Sequence, residues 1–165
     1  MRFWQFLWLS LLLSAALNTL ASDVKYKVRY VYDGDTVKLQ SLQSGQEIKL
    51  RITDIDAPER NQSYGKQSRR ALIKLCTGND IQIDAKLTGT DQYHRRLGKL
   101  YCNNTNVSLY LLQQGLAWHN TKYSADATMR AAAAKARAQK LGLWKQRNPM
   151  PPWVWRRIHL PASFH

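Results

Sequence analysis

The sequence predicts an α+β chain: a small closed β-barrel of five short strands accompanied by three helices. Two observations carry this. Three segments of alternating apolar and polar residues follow one another early in the chain, joined by turn dipeptides, and a single helical segment separates them from two further strands. Strands and helices do not alternate regularly, which excludes a doubly wound parallel sheet, and no internal repeat is present.

Each element has its own signal. From Val24 to Tyr32, Val24, Tyr26, Val28, Tyr30 and Tyr32 alternate with Lys25, Lys27 and Arg29, a half-buried strand with a basic outer face. Asp33-Gly34 is a hairpin dipeptide whose two residues tolerate positive φ. Thr36–Leu42 is a second strand, Ser44-Gly45 turns the chain, and Glu47–Ile55 alternates as a third. Asp56–Ser63 is a loop broken by Pro58. Tyr64–Cys76 places Leu72, Leu75 and Cys76 on one side of a helix, closed by Gly78. Asp80–Lys86 is a fourth strand, Leu87–Arg96 is polar and irregular, and Leu97–Cys102 is a fifth. Asn106 caps a second helix reaching Gly115, and Ser124 caps a third over Ala125–Leu141, closed by Gly142. Five strands with a helix between the third and fourth make a barrel of the oligonucleotide-binding (OB) type. The tail, 148–165, is rich in Pro, Trp and Arg, and its prolines forbid a long helix.

The first 21 residues stand apart from this domain. Arg2, the apolar run Phe3–Leu13 and the small residue Ala21 read as a secretory signal peptide. The competing reading is a membrane anchor, against which the apolar run is short of the roughly 20 residues a span needs. The domain then occupies residues 22–147. Cleavage predicts a secreted or periplasmic chain with no stable membrane association, expected to be a monomer. The whole chain carries a formal charge of +14. A small exported protein this basic is suited to a polyanion, whether nucleic acid, anionic lipid or an acidic envelope polymer. The two cysteines, Cys76 and Cys102, match no zinc spacing. Outside the cytoplasm they suit a disulfide; two small buried hydrophobes are the other reading.

Three segments hold residues capable of chemistry. In "DGD", Asp33 to Asp35, a turn explains the first two residues but not Asp35, which opens a strand where aspartate is disfavoured. In "LRITDIDAPER", Arg51, Asp54, Asp56 and Glu59 surround a strand end and a proline turn. If Asp35 and Asp56 meet, a cation or a proton must relieve their repulsion. Oxygen donors suit calcium or magnesium equally at this level. In "TDQYHRRLGKLY", Arg95 and Arg96 offer guanidinium forks for phosphate. A metal site, two arginines and a free carboxylate near a water are the parts of phosphodiester hydrolysis.

With "DGDTVKL", "LRITDIDAPE", "DQYHRRLGKLY" and "LLQQGLAW" in this order, the chain resembles the staphylococcal-type nucleases from about Lys25 to Trp144. That resemblance implies an OB barrel with three helices and a calcium-dependent enzyme that cuts DNA and RNA and leaves 3′-phosphate ends. It implies that Asp35, Asp56 and the Ala57 backbone carbonyl hold the metal, that Glu59 is the general base, and that Arg51 and Arg95 bind phosphate. Asp33 becomes a turn residue. Arg96 and Tyr123 are left as substrate contacts, Tyr123 by base stacking. The sequence departs from the family at His94, where glycine is frequent, and at Thr121, where a tyrosine is found. A barrel of this type that binds nucleic acid without cutting it is the alternative, and joint retention of Asp35, Arg51, Asp56, Glu59 and Arg95 argues against it.

Overall fold

The computed structural model describes residues 25–159. The signal peptide expected over the first 21 residues lies outside them, and among the described residues no helix is long and apolar enough to cross a membrane. The elements are β1 (Lys25–Val31), β2 (Thr36–Ser41), β3 (Glu47–Ile52), β4 (Ile55–Asp56), α1 (Gly65–Cys76), β5 (Ile83–Thr90), β6 (Arg96–Cys102), β7 (Thr105–Asn106), α2 (Val107–Gln113), β8 (Trp118–His119), α3 (Ala127–Ala138), a 3-10 turn (Gly142–Lys145) and α4 (Pro152–His159).

Antiparallel pairing runs β3-β2-β1-β5-β6, and a parallel β3–β6 pairing, Leu50↔Arg96 to Ile52↔Gly98, closes the five strands into a barrel. Val37, Leu39, Leu50, Ile52 and Leu100 fill its interior and are wholly buried. Leu72 of α1 and Leu111 and Leu112 of α2 extend the same core. A disulfide joins Cys76, at the end of α1, to Cys102, at the end of β6, with Cα atoms 5.3 Å apart.

Several elements differ from the sequence-based expectation, each for a local reason. The alternation of β1 reverses at a bulge between Val28 and Tyr30, so Val31 turns inward and Tyr30 outward, 42 % exposed. Tyr30 and Tyr32 then meet edge to face at 4.9 Å, with Arg69 over one ring and Lys49 over the other. The third strand stops at Ile52, because Asp54 adopts a left-handed φ of 70° before Ile55–Asp56 pairs separately with β8. β5 runs on through the polar stretch to Thr90, paired throughout with β6. Asp126, rather than Ser124, caps α3, its carboxylate accepting from the amides of Thr128 (2.8 Å) and Met129 (3.2 Å). That helix ends at Ala138, followed by Lys140 with φ 51°.

Among the described residues helices number four rather than three, because the tail up to His159 forms one of its own. Pro152 sits at the first position of α4, where its missing N–H costs nothing. The described part of the tail packs back on β8, next to the 3-10 turn. Trp153 meets Trp118 at 5.4 Å, and Trp118 meets Trp144 at 4.5 Å.

Candidate active site

The "DGD" turn is built differently from a positive-φ hairpin. Neither Asp33 nor Gly34 has positive φ. Asp33 Oδ1 instead accepts from the Asp35 amide at 2.9 Å, fixing the turn. Gly34 is required by close approach, since a Cβ there would overlap the Ser68 hydroxyl of α1 and crowd Ala57. The turn thereby presses against the Asp56–Ala57 segment and delivers Asp35 to it. Asp35 Oδ2 accepts from the Ala57 amide at 2.6 Å, and Oδ1 accepts from Thr36 Oγ1 at 3.0 Å.

Arg51 joins the two aspartates. Leu50 and Ile52 point into the barrel, which turns Arg51 to the outer face. Its Nη1 donates to the Ile52 and Ile55 carbonyls (2.5 and 3.0 Å) and lies 3.3 Å from Asp35 Oδ2. Its Nη2 donates to Asp56 Oδ1 at 3.1 Å. Glu59 stands beyond Pro58 in a compact loop. Its amide donates to Gln62 Oε1 at 3.1 Å, and its carbonyl accepts from the Gln62 amide at 2.8 Å.

The electrostatics follow from burial. Desolvation pushes Asp35 up to about 7, Asp33 adds to the rise, and Arg51 and the Ala57 amide only partly oppose it. Burial also raises Asp56, as does the charge of Asp35, against the hydrogen bonds of Arg156 and the charge of Arg51. Among the described residues no group of three or more His, Cys, Asp or Glu side chains forms a metal cluster. What converges is a pair of buried carboxylates beside the Ala57 backbone, an all-oxygen donor set that fits a hard divalent ion. Desolvation, the chief cause of the raised Asp35, is a cost that a bound cation would offset.

The other predicted residues lie apart from this cluster. Arg95 is in the β5–β6 hairpin, where Asp91 accepts from its amide (2.9 Å) and its Nε (2.8 Å). Burial works against the Asp91 charge, but these hydrogen bonds outweigh it and hold its carboxyl below the ordinary range. Among the described residues no hydrogen bond or ion pair links Arg95 to Asp35, Asp56 or Glu59. His94 is exposed with φ 58°, a left-handed turn position where glycine is at no disadvantage. Arg96 begins β6 with its side chain exposed. Tyr123 is 71 % exposed, with Lys122 over its ring. Trp118 is enclosed by Trp144 and Trp153 and acts as packing.

One residue of the cluster carries no signal in the sequence. Arg156 of α4 donates to both oxygens of Asp56, Nη1 to Oδ1 at 3.1 Å and Nη2 to Oδ2 at 2.7 Å, and its Nη1 donates to Glu59 Oε1 at 2.7 Å. It sits in a Pro- and Trp-rich segment about which local pattern says only that a long helix is forbidden.

The family description "Staphylococcal nuclease homologue" matches residues 49–146. The chain belongs to the staphylococcal nuclease family. It is 34 % identical over 138 residues to a protein of Escherichia coli O157:H7 named an uncharacterized endonuclease, covering 83 % of this chain and 88 % of that one. It is 35 % identical over 150 residues to a Haemophilus influenzae protein of the same description, covering 90 % and 83 %. A micrococcal nuclease of Shigella flexneri is 35 % identical over 153 residues, covering 86 % of each chain. This staphylococcal nuclease homologue is accordingly a nuclease, a hydrolase of phosphodiester bonds in nucleic acid. The matched residues include Arg51, Asp56, Glu59 and Arg95, and end before α4.

Proposed function

We propose that the protein is an exported, calcium-dependent, monomeric nuclease that cuts DNA and RNA with little sequence specificity and leaves 3′-phosphate ends. The convergence of Asp35, Arg51, Asp56 and Glu59 at one end of the barrel carries this reading. The basic leader pattern, the charge of +14 and the Cys76–Cys102 disulfide support export.

Asp35, Asp56 and the Ala57 carbonyl would hold the cation, which when bound polarises a phosphate oxygen. Glu59 takes a proton from water as the water oxygen bonds to phosphorus, and the 5′ oxygen leaves with the bonding pair and takes a proton from solvent to become a hydroxyl. Arg51, already fixed on this face, meets the negative charge growing on the phosphoryl oxygens. Arg95 brings a second guanidinium from the β5–β6 hairpin, and Arg96 and Tyr123 contact the strand on either side.

Digestion of plasmid DNA and total RNA, with calcium and with a chelator, tests the proposal. Cleavage of both that the chelator abolishes and calcium restores, with ends that require phosphatase before labelling at the 3′ side, is the expected result. Cleavage that survives the chelator removes the cation from the reading. Glu59→Gln should lower turnover by about 10²–10⁴-fold with an unchanged circular dichroism spectrum; full activity there would remove Glu59 as the base.

A further inference from the structure

The C-terminal segment is docked on the catalytic loop at three places. The Gln62 amide bridges them, its oxygen accepting from the Glu59 amide at 3.1 Å and its nitrogen donating to the Met150 carbonyl at 2.7 Å. Trp153 stacks edge-on against Trp118, whose strand β8 pairs Trp118 with Asp56. Beyond these anchors along the chain, Arg156 grips Asp56 with a two-pronged fork and reaches Glu59.

That fork uses up what a cation would need. A carboxylate oxygen accepts through two lone pairs, and Asp56 Oδ1 already accepts from Arg51 and Arg156. Oδ2 accepts from Arg156 as well. Charge points the same way. With all three carboxylates ionised, Asp35, Asp56 and Glu59 face Arg51 and Arg156, a cluster one negative charge from balance; without Arg156 the deficit becomes that of one divalent ion. Glu59 has its carboxylate in the same grip, its Oε1 accepting from Arg156 at 2.7 Å.

We infer that Arg156 is an internal counter-ion that competes with the divalent cation for Asp56, so that α4 is a latch which cation binding must release. The inference rests on the metal site proposed above and adds to it a segment outside the matched family residues. With the latch closed, Asp56 Oδ1 is saturated, Oδ2 is held by Arg156 and Glu59 is paired. With it open, Asp56 is free to ligate and Glu59 is free to take a proton.

Calcium binding to the full chain, measured by isothermal titration, tests this without reference to turnover. Arg156→Gln keeps a polar side chain of similar length and removes the charge. Calcium affinity should rise by about tenfold or more. Trp153→Ala loosens α4 without touching a carboxylate and should shift affinity in the same direction by less. In chelator, Arg156→Gln should melt at a lower temperature than wild type, and saturating calcium should close the gap. Measurable binding with affinity unchanged or weakened in both variants overturns the latch and leaves the metal site intact; a weakened site would make Arg156 a support for its ligands. Absence of calcium binding in wild type and both variants overturns the metal reading and the latch with it.

Discussion

Arg51 and Arg95 are the same residue type assigned to the same task, yet the fold treats them oppositely. Arg51 stands on a barrel strand, with its guanidinium fixed by two backbone carbonyls and two buried aspartates, and its side chain is 15 % exposed. Arg95 stands at a hairpin tip and is held by Asp91, four residues away in its own loop. The first is positioned by the entire barrel and the second by a local turn. Charge fixed beside the proposed cation site and charge carried on a hairpin held only by its own turn are therefore separate provisions, and they should respond differently to mutation.

The strongest way to break that contrast is Arg51→Ala. It should cost about 10³-fold in activity and about 3 kcal/mol in stability, because removing one partner leaves buried carboxylates unpaired. Proton uptake by Asp35 keeps that cost at the lower end. Denaturant unfolding and a nuclease assay on the same sample measure both, and loss of activity with unchanged stability would show that Arg51 is no more embedded than Arg95. Arg95→Lys keeps the charge but not the fork. Activity should fall by about 10²-fold while the melting temperature stays within a degree or two of wild type; a large drop in stability would place Arg95 in the barrel's own support.

A pH titration sharpens the comparison on the Arg51 side. The folded chain keeps the Asp35 proton up to about 7, whereas the ordinary value is 3.8. Between these values the native state binds more protons than the unfolded state, so stability in chelator should fall as pH rises from about 4 to about 7 and then level off. Asp35→Asn should reduce this slope to the part that the raised Asp56 contributes, melt higher than wild type in chelator at pH 8, and have no activity. A wild-type melting temperature that rises across the window would contradict the burial-driven shift. The smallest effect belongs to the exposed periphery. Tyr123→Ala should raise KM a few-fold by loss of one stacking surface and leave kcat and stability unchanged.

The strands of the barrel and the carboxylate–arginine cluster were legible because each has a short-range signal. Alternation marks β2 and β3, and "DGDTVKL" and "LRITDIDAPE" carry Asp35, Arg51, Asp56 and Glu59 in contiguous strings. The features that escaped depend on backbone conformation or on distance along the chain. The bulge in β1 has no side-chain signature, so Tyr30 was placed on the wrong face. Ser124 and Asp126 are both capping types two residues apart, and only the fold decides that Asp126 reaches the helix amides while Ser124 is buried. Arg156 lies 97 residues beyond Glu59, and no periodicity links them. Gly34 was recognised as a turn glycine, but what demands it is the Ser68 hydroxyl from another element.

The parallel seam between β3 and β6 has a consequence for how the enzyme comes into being. It joins Leu50–Ile52 to Arg96–Gly98, with Arg51 opposite Leu97 at its centre. The antiparallel pairs β1–β2, β2–β3 and β5–β6 are hairpins of neighbouring strands, whereas this seam closes a long stretch of chain and must overcome the larger loop entropy. Hairpins should therefore form early and the seam late. Arg51 meets Asp35 across the β2–β3 hairpin, where it pairs with Thr36, so that contact does not need the seam; what the seam adds is the start of β6, next to Arg95, alongside the strand that carries Arg51. The step that closes the barrel is thus also the step that sets the strand of Arg51 beside the strand that Arg95 leads into.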